Sequence, residues 1–185
     1  AVANAVFDLP AGRAPHSLIL RALSAVEHDE DADAATLCRA AQALAAGATE
    51  DEEIGARVVA LWLRARAATE GAESVELLAT AANTAADVGM TDAAMSLFEA
   101  LLHADASRDR DRLRLGLMRS IAGDNAGAIV VLAAGVAGVD WANADDAGNA
   151  IRGDMLEALV RARIAAGDQG DGFERDLVAL RQVRP

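Results

Sequence analysis

The sequence predicts an all-α fold of antiparallel helix-turn-helix pairs, about nine helices in all. Three observations predict it. First, the stretch Val88-Gly89-Met90-Thr91-Asp92-Ala93-Ala94-Met95-Ser96-Leu97-Phe98 has an echo in Ala122-Gly123-Asp124-Asn125-Ala126-Gly127-Ala128-Ile129-Val130-Val131-Leu132, with the two glycines 34 residues apart. In both, a helical pattern stops at glycine, a polar residue or two follow, and a second helix opens with a small residue and then a large apolar one. Second, of 185 residues 53% are hydrophobic, alanine being the largest share, and 3% are aromatic, with no Tyr. Such chains favour helices that approach closely. Third, the only prolines are Pro10, Pro15 and Pro185, so no proline breaks a helix between them, and no run alternates as a strand does.

In chain order, residues 1–14 read as an irregular tail with a turn at Asp8-Leu9-Pro10-Ala11-Gly12, and residues 15–185 as one helical domain. The first helix starts near Pro15, a residue favoured in a first turn, with Leu18, Ile19, Ala22, Leu23 and Val26 inward. The acidic run from Glu27 to Asp33 lacks the alternating ligands and central Gly of a calcium loop and reads as a solvated linker. A second helix, about 33–46, turns Leu37, Ala41, Leu44 and Ala45 inward and stops at Gly47. Thr49 and Glu52 form a capping-box pattern before a third, with Ile54, Val58, Leu61, Trp62 and Ala65 on its core face.

The fourth helix covers about 74–88 and the fifth runs from a Thr91 cap to about Ala104. The sixth opens in Ser107-Arg108-Asp109 and carries Leu113, Leu117 and Ile121 on one line. The seventh spans about 125–137; its Gly127 and Gly135 are explained if another backbone packs close. A longer connection holding Trp141 leads to the eighth, about 146–166, with Ile151, Met155, Leu159 and Ile164 inward. The ninth follows Gly167-Asp168 and directs Phe173, Leu177, Leu180 and Val183 to the core. The pairs fall at about 32–70, 73–104, 108–138 and 145–183.

Charge and chemistry narrow the function. The net charge of −12 disfavours nucleic acid and anionic membranes and is compatible with a basic partner. All seventeen basic residues are Arg. A single cysteine, Cys38, excludes an intrachain disulfide and reads as a structural thiol. No apolar run reaches the ~18 residues of a membrane span. His16, His28 and His103 show no metal spacing, and there is no phosphate loop or nucleophile elbow. No catalytic, metal or cofactor-binding residues emerge, and the expectation is a protein that is not an enzyme. The chain begins at Ala1, which fits a processed chain or one cut from a longer protein, cytoplasmic or periplasmic.

On these residues the chain resembles the tetratricopeptide repeat (TPR) proteins. That family's 34-residue unit wants a small residue seven before the turn glycine, met by Ala82 and Gly116. Leu is favoured just before that, found as Leu115 but Ala81 in the earlier unit. Five after the glycine it wants Ala (Ala94, Ala128), and nine after a large apolar residue (Phe98, Leu132). The chain departs at Ala85 and Arg119, where an aromatic is usual, at Leu101 where a small residue is expected, and in lacking the closing proline. Residues 145–183 match through Leu159, Gly167 and Asp168 at a spacing of 44 from Gly123, and residues 32–70 match as a helix pair alone.

The resemblance implies pairs stacked as a TPR-like right-handed superhelix, and a protein-interaction scaffold whose concave groove holds a partner peptide or helix. It places Glu76, Asn83 and Asp87 of the fourth helix in that groove. Arg110, Leu117 and Ser120 of the sixth join them, with Asp154, Glu157 and Arg161 of the eighth. Asn83 stands mid-helix, positioned either to grip a partner backbone or to bond a neighbouring turn. Self-association is also open. The alternative readings are a sensor or regulatory domain of a larger bacterial protein that binds a small ligand, and an all-α enzyme or unrelated bundle.

Overall fold

The computed structural model describes residues 16–48, 52–142 and 146–183. All regular structure among them is helical. The helices are α1 (His16–Glu27), α2 (Ala34–Ala48), α3 (Glu52–Ala67), α4 (Gly71–Asp87), α5 (Thr91–Ala104), α6 (Asp109–Ile121), α7 (Asn125–Val136), α8 (Asp146–Ala166) and α9 (Asp171–Val183). The expected tail, the Pro15 start and the Thr49 cap lie outside the described residues. The chain gathers into two compact units that divide between Ala104 and Asp105.

In the first unit each helix packs on the next, α1 on α2 through α4 on α5. The expected stripes account for its core: Leu37, Ala41 and Leu44 of α2 meet Ile54, Val58, Leu61, Trp62 and Ala65 of α3, with Leu77 and Ala81 of α4. Each fully buried Leu or Ile removes apolar surface worth ~1.5–3 kcal/mol. Leu23 and Val26 join α1 to this core, whereas Leu18 is 39% exposed and corrects the expected stripe. Arginines fasten this helix instead. Arg57 donates both Nε and Nη2 to the Glu27 carboxylate at 2.8 and 2.7 Å. Arg64 donates to the carbonyls of Val26, Glu27 and Asp29 at 3.3, 3.0 and 2.8 Å, at and just beyond the C-terminus of α1, where carbonyls lack helical N–H donors. The Asp33 carboxylate accepts from the Thr36 N–H at 2.7 Å and caps α2. Cys38 is half-buried against the core, and burial, then the nearby Glu73, push its thiol pKa up.

The repeated turn is real and occurs three times among the described residues. Gly89, Gly123 and Gly167 adopt φ of +82°, +84° and +70°. In each the following residue donates to the carbonyl five back: Met90 to Ala85, Asp124 to Arg119 and Asp168 to Arg163, all at 2.9 Å. This is a Schellman closure, which needs a left-handed residue and so selects glycine. Thr91 is not the cap expected of it. It is the first helical residue of α5, its hydroxyl donates weakly to Gly89 O at 3.4 Å, and Met90 supplies the first carbonyl, to the Ala94 N–H at 2.9 Å. Ala82, Ala94, Phe98, Ala128 and Leu132, the residues that carry the repeat pattern, are completely buried.

In the second unit α6 packs on α7 and α8, α7 on α8, and α8 on α9. Two expected stripes are corrected here. On α6, Leu117 is 44% and Ile121 86% exposed, while Asp111, Leu115 and Gly116 are buried. A line of residues four apart drifts by ~40° per step on a helix, so the line that starts half-buried at Leu113 leaves the interface by Ile121. On α8, Ile164 is 60% exposed and Arg163 is buried in its place. The step from Leu159 to Ile164 is five residues, which leaves the stripe. Arg163 turns inward because Asp176 of α9 meets it at 2.8 Å and Asp168 closes on its Nη1. The close neighbours of Gly127 and Gly135 are side chains, not backbone: Arg119 and Asp124 at the first, Met155 and Arg112 at the second.

Candidate functional site

In the second unit the contact of α6 with α8 leaves a hollow of about 340 Å³ on its outer side. Leu113 and Leu117 of α6 and Asp154, Glu157, Ala158 and Arg161 of α8 line it. The spacing is helical: Asp154, Glu157 or Ala158, and Arg161 recur at three or four residues and so share one face. Ala158 keeps the floor low and Leu117 presents apolar surface beside it. Glu157 receives a close ion pair from Arg161, whose side chain is 75% exposed. The hollow therefore joins an apolar floor to a rim of two carboxylates and one exposed guanidinium.

Four of the nine residues placed in a groove by the sequence thus line one hollow: Leu117, Asp154, Glu157 and Arg161. Of the others on α6, Arg110 is exposed and Ser120 donates to Asn125 Oδ1 at 3.0 Å across the turn into α7. Glu76, Asn83 and Asp87 belong to α4 of the first unit. Glu76 and Asp87 are exposed. Asn83 is half-buried, and its Nδ2 donates to Ala79 O at 2.8 Å, one turn back on its own helix. Thr80 and Thr84 make the same bond, to Glu76 O at 2.9 Å and Thr80 O at 2.8 Å, so α4 carries a line of polar side chains turned onto its own carbonyls. Two lining residues were not placed in the groove by sequence reading: Leu113, assigned to the inward line of its helix, and Ala158. The signal for Ala158 was the spacing from Asp154 and Arg161, hidden because alanine occurs on every face of this chain.

Among the described residues no group of three or more His, Cys, Asp or Glu is disposed to hold a metal, and no helix is long and apolar enough to cross a membrane. The Asp111 carboxylate, mostly buried, is paired with Arg108 at 2.7 Å, and Arg152 of α8 reaches Asp109 at 2.9 Å. The first pair is local to the start of α6, the second ties α6 to α8, and neither belongs to the lining of the hollow.

The architecture is that of TPR-like helical repeats. No family model matches the sequence, and no curated protein matches it. Among solved structures the chain is similar to a Podospora anserina protein described as a kinesin light chain with nearly identical TPR-like repeats. The likeness has a TM-score of 0.58 at 20% identity, covering 91% of this chain and 82% of that one. At that identity what the two share is the fold.

Proposed function

We propose that the protein is a non-catalytic interaction scaffold that holds an amphipathic segment of a partner protein in the hollow between α6 and α8. The observation that carries the reading is Leu117, a large apolar side chain left 44% exposed on a floor whose rim is Asp154 and Glu157. An apolar anchor on the partner would cover Leu117 and Ala158, and a Lys or Arg beside it would meet the rim. The net charge of −12 favours the same class of partner by speeding its approach. Affinity capture from cells with immobilised wild-type chain, Leu117→Asp and Asp154→Arg tests this. The expected result is a basic partner held by the wild type and lost from both variants, each melting at the wild-type temperature. Capture of the same set by all three would overturn the reading.

A further inference from the structure

On the other side of α8, α7 and α9 each pack against it and leave a slot of about 500 Å³ between them. Val136 of α7, Trp141 of the following turn, Leu156 of α8 and Val178 of α9 form its apolar walls and floor. The volume lies in the ~300–1,000 Å³ range of small-molecule sites, which combine apolar walls with a few convergent polar groups. Here the charged groups, Arg175 and Asp176, both come from α9.

Their pairing decides what the slot would take. Asp176 is 4% exposed, and its Oδ2 accepts from Arg163 Nε at 2.8 Å. Arg175 reaches only the other oxygen, at 3.3 Å, and its side chain is 74% exposed. Arg175 can therefore turn to a ligand without leaving the buried carboxylate unpaired. A cationic head would find Asp176 buried, its Oδ2 already taken by Arg163, and would meet the exposed Arg175 charge first. An anionic head would receive a two-pronged guanidinium bond. We propose that this slot is a binding site for a small amphipathic carboxylate, its tail against Val136, Trp141, Leu156 and Val178 and its head on Arg175. The site is distinct from the hollow between α6 and α8, and stands whether or not that hollow holds a partner.

Titration of the full chain with decanoate, followed by calorimetry and tryptophan fluorescence, tests it. The expected result is saturable binding with a fluorescence change that disappears in Trp141→Phe. Arg175→Ala should weaken decanoate about tenfold, the loss of one charge-assisted contact, and leave decanol unchanged. Val178→Trp should close the slot to both. Absence of saturable heat, equal decanoate affinity in Arg175→Ala, or undiminished binding in Val178→Trp would each overturn the proposal. Arg175 and Val178 are more than half exposed and Trp141→Phe keeps an aromatic ring, so matching melting curves keep the comparison valid.

Discussion

Leu132 occupies the space that a side chain at Gly116 would need: a Cβ built on Gly116 would lie 2.5 Å from both Cγ and Cδ2 of Leu132. The two residues stand at the helix crossing of one hairpin, the small position of α6 against the large position of α7. Gly116→Ala gains ~1 kcal/mol of helix propensity but overpacks the crossing by ~1–3 kcal/mol. Urea unfolding should show a net loss in the wild-type background, and no loss when Gly116→Ala is made in a Leu132→Ala background. A more stable Gly116→Ala protein would remove the close crossing from the account.

The pair Arg163–Asp176 makes a larger effect testable. Both side chains are nearly buried, at 11% and 5% exposure. Asp176→Asn leaves the Arg163 charge half-answered in a poorly solvated place, and breaking such a pair costs ~3–5 kcal/mol. The double variant Arg163→Met with Asp176→Leu should recover most of that loss in the same unfolding measurement. A loss as large in the double as in the single variant would mean the pair itself is stabilising.

Acid should destabilise the protein through specific carboxylates. Hydrogen bonds from Thr36 hold Asp33 below its ordinary pKa, those from Ser107 do the same for Asp105, and the bond from Arg163, then the Gly170 N–H, for Asp168. A carboxylate whose folded pKa is depressed contributes stability that is complete above its unfolded pKa, ~3.9. That contribution is lost as pH falls through the folded value. Melting temperature should be flat in these groups above about pH 5 and fall below about pH 4. The fall should be shallower in Asp33→Asn with Asp105→Asn, and an unchanged slope there would assign acid sensitivity to other groups.

The three turn glycines offer a test free of packing. A Cβ at Gly89, Gly123 or Gly167 would meet nothing within 4 Å, so an alanine there reports backbone strain alone. Each substitution should cost ~1–2 kcal/mol. Closely similar losses at Gly123 and Gly167 would show that the turn is the same device despite the longer spacing between them, and a neutral Gly167→Ala would separate it from the other two.

Exposed apolar residues on α6 should behave in two ways. Ile121→Thr, at 86% exposure, should change stability by less than ~0.5 kcal/mol and leave partner capture intact. Leu117→Asp should match it in stability and abolish capture. Equal capture by the two variants would move the binding surface away from α6.

How much of this was legible in the sequence differs by feature. Gly89 and Gly123 announced their turns because only glycine enters the left-handed region without strain, so a backbone requirement was written directly into residue type. The same holds for Ala82, Ala94 and Ala128, whose small size is demanded by a local crossing. The face of α6 was less legible. Leu113 and Leu115, two residues apart, lie on different sides of one helix, and because α7 and α8 both pack on α6, one stripe of period 3.6 describes only one neighbour. Arg163 was illegible for a related reason: a buried arginine is explained only by the carboxylates that reach it, and Asp176 stands thirteen residues away on another helix.

By itself, then, the sequence determined the helices, the glycine turns and the small contacts within each hairpin, because these rest on local sterics and on spacing along one helix. Tertiary structure alone decided which apolar residues stay exposed, which arginine is buried, and that Leu117 shares a hollow with Asp154, Glu157 and Arg161. Those outcomes depend on which helix becomes the third neighbour, and packing between elements distant in sequence settles that after each helix has already formed its own pattern.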